Sequence, residues 1–239
     1  MAEMLLLDSE LGSASVAVVQ ARQRQIAETC DYYKLNVNDV AIMGGAALAM
    51  YSMDAVPTDV SSQHPFDVDG ITTWPVIRKI MVANGQEDNA DFIEETGGLP
   101  DYYSRRDAAH PIDLFNDGFT YGDPPVHVTQ RVAWEASEIL SNVGGGAGDY
   151  RVVHPRASAK WKLALQRPKD VAGILKGHAS AHLQGLPAAE DPGWHAVVAQ
   201  AAGLADYILT RGNQPAWLAQ LRQRPGGLRS HKAFAFLDR

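Results

Sequence analysis

The stretch from Val40 to Gly70, VAIMGGAALAMYSMDAVPTDVSSQHPFDVDG, sets a glycine pair between two short apolar segments. The first segment ends at Gly44 and Gly45 and is partly β-branched, which predicts a strand followed by a tight turn. Good helix formers follow the glycines, and FDVDGI then alternates as a second strand would. The first part of the chain is therefore predicted to mix strands and helices.

Two aspartates, Asp67 and Asp69, stand one residue apart in the second predicted strand. Side chains at i and i+2 of a strand point to the same face, so their carboxylates would lie side by side. A divalent cation relieves the repulsion between them, and Mg²⁺ prefers oxygen ligands. Glycines let a backbone approach a phosphate closely, and a helix N-terminus offers N–H groups to it. The pattern predicts a phosphoryl- or nucleotidyl-transfer site that uses Mg²⁺ or Mn²⁺.

The rest of the chain separates into a mixed and a helical part. HPIDLFNDG predicts a strand that carries Asp113 and closes on an Asn-Asp-Gly turn. Residues 85–110 are polar and glycine-containing, which favours a mobile excursion. VHVTQRVAWEASEI combines strand-like alternation with helical character, and neither is favoured. From Arg156 onward the sequence predicts helices, with breaks near Pro187, Pro192, Gly212 and Gly226.

These motifs in this order resemble the nucleotidyltransferase superfamily, in which a Gly-Gly or Gly-Ser turn precedes an Asp-x-Asp strand. Downstream, VVHPRASAKWKLALQRPKDVAGIL is similar to the segment of AbiEii-like toxin nucleotidyltransferases where a helix bears a Lys-Leu pair. An Arg-x-Lys-Asp segment then follows in that family. The matching positions here are Lys162, Arg167, Lys169 and Asp170. The resemblance covers roughly residues 40–175.

The resemblance implies an α/β (α+β) nucleotidyltransferase-like mixed sheet with flanking helices over residues 1–154. A helical, basic C-terminal domain would span residues 155–239. The implied activity is metal-dependent transfer of an NMP from an NTP to an acceptor, often RNA, in a toxin–antitoxin or phage-defence setting with an antitoxin partner. The implied catalytic and metal-binding residues are Asp67, Asp69 and Asp113. The implied nucleotide-binding residues are Gly44, Gly45, Lys162 and Asp170.

Two departures from the family pattern leave alternatives open. The family spacing from Gly44 leads to Asp59, and the second acid would then be Ser61; the intact pair requires DVSSQHPF to be an insertion. A supporting acid after the Lys-Asp segment is replaced by Gly173. One alternative is a non-catalytic binding or regulatory protein on a degenerate nucleotidyltransferase fold. The other is a small-molecule nucleotidyltransferase of the aminoglycoside-modifying kind.

Charge is divided unevenly along the 239 residues. Residues 1–150 carry 8 Lys and Arg against 23 Asp and Glu, a balance of −15; residues 151–239 carry 13 against 5, a balance of +8. A basic half beside an acidic one suits a polyanionic acceptor such as tRNA-like RNA, and two ordinary solvated surfaces of opposite charge would give the same balance. The single cysteine, Cys30, allows no internal disulfide. With neither a signal peptide nor a membrane span at the N-terminus, the expectation is a cytoplasmic protein without a membrane partner.

Overall fold

A computed structural model of the chain describes residues 14–54, 67–106, 109–121, 125–208 and 216–238. The chain divides into two compact units. The sheet unit comprises Ala21–Met50 and Gln63–His154. The helical unit comprises Met1–Gln20, Tyr51–Ser62 and Pro155–Arg239. The predicted mixed α/β fold is confirmed, and one of the boundaries between the two units falls between His154 and Pro155.

The sheet unit is built on a six-stranded mixed sheet. Its strands are β1 (Ala41–Ile42), β2 (Val68–Thr72), β3 (Tyr102–Arg105), β4 (Ile112–Asn116), β7 (Ser137–Ser141) and β8 (Asp149–Val153). Their order across the sheet is β3-β4-β2-β1-β8-β7. β2 and β4 run parallel, as do β1 and β8, and the other neighbours are antiparallel. A separate two-stranded sheet pairs β5 (Gly118–Tyr121) with β6 (Val126–Thr129).

Helices flank these strands within the sheet unit and make up most of the helical unit. Those with all or part of their length in the sheet unit are α1 (Ala14–Tyr32), α2 (Gly44–Met50), α3 (Trp74–Ala83), α4 (Glu87–Thr96) and α5 (Gln130–Glu135). Those of the helical unit are α6 (Pro155–Ala164), α7 (Pro168–Leu183), α8 (Pro192–Ile208) and α9 (Ala216–Gln223). Across the described part of the chain, the structure contains no helix whose length and apolar character would let it cross a bilayer.

The prediction of a mobile excursion over residues 85–110 is wrong, because most of that segment is ordered as α4 and β3. Glu87 and Asp88 lie in the first turn of α4, where acidic side chains stabilise the positive end of the helix dipole. Gly97 ends the helix in the left-handed conformation, with φ 66°. β3 then pairs with β4 as the edge of the sheet. The polar composition of the segment reflects two elements with solvent-facing sides.

The stretch VHVTQRVAWEASEI contains both of the structures that its sequence suggests. It forms β6, α5 and β7 in turn, and the hydroxyl of Thr129 caps α5 by accepting a bond from the Val132 N–H. The predicted Asn-Asp-Gly turn leads from β4 into β5. Gly118 has φ 133°, and a Cβ there would lie 2.1 Å from the Val128 carbonyl oxygen. Only glycine permits this close pairing of β5 with β6.

The core of the helical unit encloses His178 on α7, whose side chain is fully buried. Its Nδ1 accepts a bond from the Trp194 indole at 3.1 Å, and its Nε2–H donates to the Ala233 carbonyl at 2.6 Å. Burial lowers the pKa of His178 to about 4, and the rings of His182, His195 and His231 reinforce that direction. His178 is therefore a neutral core residue with both ring nitrogens hydrogen-bonded.

Stability is expected to fall as the pH drops from about 6.5 to about 4. The folded state keeps His178 neutral over that window, whereas the unfolded chain binds a proton, so acid favours unfolding. The stabilisation is complete above pH 6.5, and its loss amounts to about 3 kcal/mol, at roughly 1.4 kcal/mol per pH unit. Urea unfolding at pH 7 and pH 4.5 measures it. His178→Gln should flatten the dependence and the exposed His127→Gln should not; equal slopes in all three proteins would contradict the assignment.

Candidate functional site

Asp67, Asp69 and Asp113 form an acidic cluster in the sheet unit. Asp69 on β2 and Asp113 on β4 are direct register partners in the parallel pair, and Asp67 immediately precedes β2. One carboxylate oxygen from each residue lies within 4.8 Å of the others. Asp113 is buried, whereas Asp67 and Asp69 are half-buried. The three residues predicted from the sequence to bind a metal are thus brought together at the start of two neighbouring strands.

Gly44 lies directly against this acidic cluster. The Met43 N–H donates to the Asp69 backbone carbonyl at 2.9 Å, which joins the end of β1 to β2. Gly44 follows with φ 65°, and a Cβ there would be 2.4 Å from Asp69 Oδ2. Any other residue would have to push the Asp69 carboxylate away, so glycine is required at this position. Gly45 is the second residue of α2 and is half-buried.

Ser104 and Arg106 also belong to the site, and sequence reasoning missed them. The Ser104 hydroxyl donates to Asp113 Oδ1 at 2.6 Å. Arg106 donates to Asp113 Oδ2 through Nε at 3.0 Å and through Nη2 at 2.5 Å. β3 brings them there because its antiparallel register sets Ser104 opposite Asp113. The two adjacent β-prone tyrosines of YYSRR were the available signal for this strand.

The surroundings shift the pKa values of two of the carboxyls in opposite directions. Burial, and then the charge of Asp113, raise the pKa of Asp67. Burial also acts to raise the pKa of Asp113, but hydrogen bonds from Arg106, Ser104 and Tyr102 outweigh it and lower the pKa overall. Burial is the main reason that the pKa of Tyr102 rises to about 12. Asp113 is therefore a stable anion, and Asp67 is the carboxyl that retains its proton more readily.

The donor set of the acidic cluster suits a hard divalent cation. All three ligands are carboxylate oxygens, the type that Mg²⁺ and Mn²⁺ prefer. Opposite oxygens around an octahedral Mg²⁺ are about 4.2 Å apart, twice the metal–oxygen distance. The 4.8 Å limit within which the three oxygens lie is close to that span. The residues therefore fit such a cation with only small movements of the carboxylates.

Lys162 and Asp170 lie in the helical unit, where they bond to each other. Lys162 Nζ donates to Asp170 Oδ1 at 2.8 Å, and Arg167 Nε donates to Asp170 Oδ2 at 2.5 Å. Burial acts to raise the pKa of Asp170, but the charges and hydrogen bonds of Lys162 and Arg167 lower it overall. Three positions of the family motif thus form one ion-pair network. Gly173, at the position of the missing acid, is buried in the middle of α7.

The alternative register, with Asp59 and Ser61, lies outside the described residues. No protein family model, curated protein or solved structure matches the chain. The case for a function rests on the geometry of the acidic cluster and on the resemblance of its motifs.

Proposed function

We propose that the protein is a nucleotidyltransferase that uses Mg²⁺ or Mn²⁺ to move an NMP from an NTP to an acceptor. The observation that carries the proposal is the acidic cluster, whose three carboxylate oxygens lie within 4.8 Å of one another. The tight contact of Gly44 with Asp69 adds support, since it pairs the glycine turn with the Asp-x-Asp strand. Lys162 and Asp170 remain proposed nucleotide-binding residues on the strength of the motif resemblance.

The proposed reaction replaces a phosphoanhydride bond of the NTP with a phosphodiester bond to the acceptor. An acceptor hydroxyl oxygen forms a bond to the α-phosphorus of the NTP, and the bond from that phosphorus to the β-phosphate oxygen breaks. Pyrophosphate leaves with the electron pair, and the proton of the hydroxyl passes to a base or to solvent. A divalent cation bound to the acidic cluster would neutralise charge on the phosphate oxygens. Asp67, Asp69 and Asp113 would hold it, and Gly44 keeps Asp69 in position.

Asp113 suits the role of a metal ligand better than that of a general base. Its pKa is lowered by Arg106, Ser104 and Tyr102, which outweigh the effect of burial. A carboxylate with a lowered pKa is a weak proton acceptor near neutral pH. Asp67, whose pKa is raised chiefly by burial, is the stronger base of the two.

One observation favours a second candidate, a binding protein without catalysis on the same fold. The Arg106 guanidinium forms an ion pair with Asp113 at 2.5 Å, so a side chain already balances part of the charge of the acidic cluster. Mg²⁺-dependent NTP binding without turnover would favour this second candidate.

The test is incubation of the protein with each labelled NTP, Mg²⁺ and total RNA, followed by a search for label. Label on RNA supports the proposed transferase and identifies the NTP. Label on a small molecule instead supports the aminoglycoside-type alternative. Absence of label from RNA, protein and small molecules with all four NTPs would contradict the transferase, and an NTP-binding titration would then test the second candidate.

RNA is the proposed acceptor, and its affinity is expected to fall steeply with salt. The motivation is the +8 balance of residues 151–239 beside the −15 of residues 1–150. Each phosphate neutralised on a single strand contributes roughly 0.7 to the slope of log K against log salt. Joint charge reversal of Arg222, Arg224 and Arg229 should reduce that slope by about 2 and leave NTP affinity unchanged. Filter binding of labelled tRNA across a salt series measures the slope, and a separate titration with labelled NTP measures the NTP affinity.

A matched control for the RNA experiment is Arg131→Glu, a charge reversal at a side chain that is 84% exposed in the sheet unit. It should leave the salt slope unchanged. Arg229 also pairs with Asp238 at 3.2 Å, so Asp238→Asn, which breaks that pair but keeps the arginine, separates the loss of the pair from the loss of RNA contacts. Equal RNA affinity in the triple variant and the wild type would show that the charge division is only a surface property.

A further inference from the structure

Arg106 places a positive charge directly beside the Asp113 carboxylate. Its Nη2 lies 2.5 Å from Asp113 Oδ2, and its Nε lies 3.9 Å from Asp67 Oδ2. Nη2 also donates to the Tyr102 hydroxyl at 3.3 Å. The guanidinium therefore contacts two of the three carboxylates in the acidic cluster and supplies a positive charge against three negative ones.

The two partners in this ion pair differ in how firmly they are held. The Asp113 side chain is 3% exposed and sits on a central strand of the sheet, whereas the Arg106 side chain is 68% exposed and follows the edge strand β3. Holding a long, solvated side chain in one geometry costs conformational entropy, which offsets part of the strength of its contacts with Asp113, Asp67 and Tyr102. Arg106 can therefore leave the site without disturbing the sheet, and Asp113 cannot.

A divalent cation and Arg106 compete for the same oxygen. Asp113 Oδ1 already accepts a bond from Ser104, and Oδ2 accepts both bonds from Arg106. A cation held by Asp67 and Asp113 together would have to bind where the guanidinium now lies, since Arg106 reaches towards both carboxylates. Two positive charges would otherwise be placed within a few ångströms of each other, which is unfavourable.

We propose that Arg106 is a resident counter-cation of the acidic cluster and that divalent-cation binding displaces its guanidinium from Asp113. The inference rests on the proposed function only in that the cluster binds such a cation. In the metal-free protein, Arg106 limits the repulsion among the three carboxylates. When the cation binds, Arg106 moves into solvent, where its planar group is free to pair with an anion such as phosphate.

The consequence is that Arg106 weakens metal binding, although it lies next to the metal ligands. Removing it should tighten the affinity for Mn²⁺ by about tenfold, since a hydrogen-bonded ion pair with one exposed partner is of modest strength. A residue that served only to hold Asp113 in place for the metal would have the opposite effect, because its loss would weaken binding.

The experiment is a Mn²⁺ titration of the full chain without nucleotide, in which electron paramagnetic resonance measures the free ion. Arg106→Gln is compared with the wild type and with Arg105→Gln. Arg105 is the adjacent residue on β3 and, by strand alternation, faces away from the side that carries Ser104. Its substitution removes the same charge and should leave Mn²⁺ affinity nearly unchanged. Circular dichroism of each variant verifies the fold.

Arg106→Lys separates the hydrogen-bonded ion pair from the charge alone. Lysine keeps the positive charge but cannot form both bonds to Asp113, so the Mn²⁺ affinity of Arg106→Lys should lie between those of the wild type and Arg106→Gln. Equal or weaker Mn²⁺ binding in Arg106→Gln would overturn the displacement while leaving the metal site standing. Absence of Mn²⁺ binding from all variants, the wild type included, would overturn both the displacement and the proposed metal-dependent function.

Discussion

Asp69→Asn is expected to reduce the proposed nucleotidyl transfer by about a thousandfold or more while leaving the fold intact. The substitution keeps the shape that packs against Gly44 but removes one negative charge from the acidic cluster. Loss of one preorganised electrostatic group at a reacting centre typically costs 10²- to 10³-fold in rate, and a metal ligand is at the upper end. Single-turnover transfer of labelled NMP in the presence of Mg²⁺ measures the effect. Asp67→Ala should behave in the same way.

The melting temperature of each variant tests whether the fold is intact. Removing one carboxylate from a crowded anionic cluster relieves repulsion, so the melting temperature of Asp69→Asn should be equal to or higher than that of the wild type. The control Asp88→Asn removes the same charge from the exposed first turn of α4 and should keep full activity. Full activity in both Asp67→Ala and Asp69→Asn, with loss in Asp59→Ala, would show that the shorter register is the functional one.

Lys176→Met is expected to destabilise the helical unit by about 3–5 kcal/mol. Lys176 Nζ lies 3.0 Å from Asp54 Oδ2, and the two side chains are only 4% and 5% exposed. Removing the lysine leaves the buried Asp54 carboxylate without this cation. A buried carboxylate that has lost its paired cation strongly destabilises the folded state. Urea unfolding, monitored by circular dichroism and by tryptophan fluorescence, measures the loss.

The double variant Lys176→Met/Asp54→Leu separates the ion pair from the packing around it. Replacing both charges with apolar groups removes the desolvation cost, so stability should recover to near the wild-type value. The control Arg229→Met breaks a pair whose side chains are both 62% exposed, and it should cost less than about 1 kcal/mol. A small effect of Lys176→Met, comparable to that control, would contradict the importance of the buried pair.

Much of the local structure could be predicted from the sequence, since it depends on near neighbours. The glycine pair before Ala46 predicted the turn at the end of β1, and the helix formers after the pair predicted α2. The alternation of FDVDGI predicted β2. The segment 85–110 was mispredicted because its polar residues form solvent-facing sides of α4 and β3, and composition does not distinguish those from a loop.

The sequence by itself determined that Asp67 and Asp69 share one face, because side-chain direction in a strand has a period of two. It also indicated a tight turn at Gly44 and Gly45, ahead of these aspartates in the chain. The nucleotidyltransferase function is still a proposal, supported by this pair and by the motifs around it.

Only the tertiary structure decided which side chains surround that pair. The parallel pairing of β2 with β4 sets Asp113 opposite Asp69, and the antiparallel pairing of β3 with β4 places Ser104 and Arg106 beside Asp113. Strand register depends on many weak contacts between segments that are far apart in the chain, and a change of one residue would turn each side chain to the other face. A local sequence pattern does not identify the distant strand that it pairs with. The contact between Arg106 and Asp113 is therefore seen only in the tertiary structure.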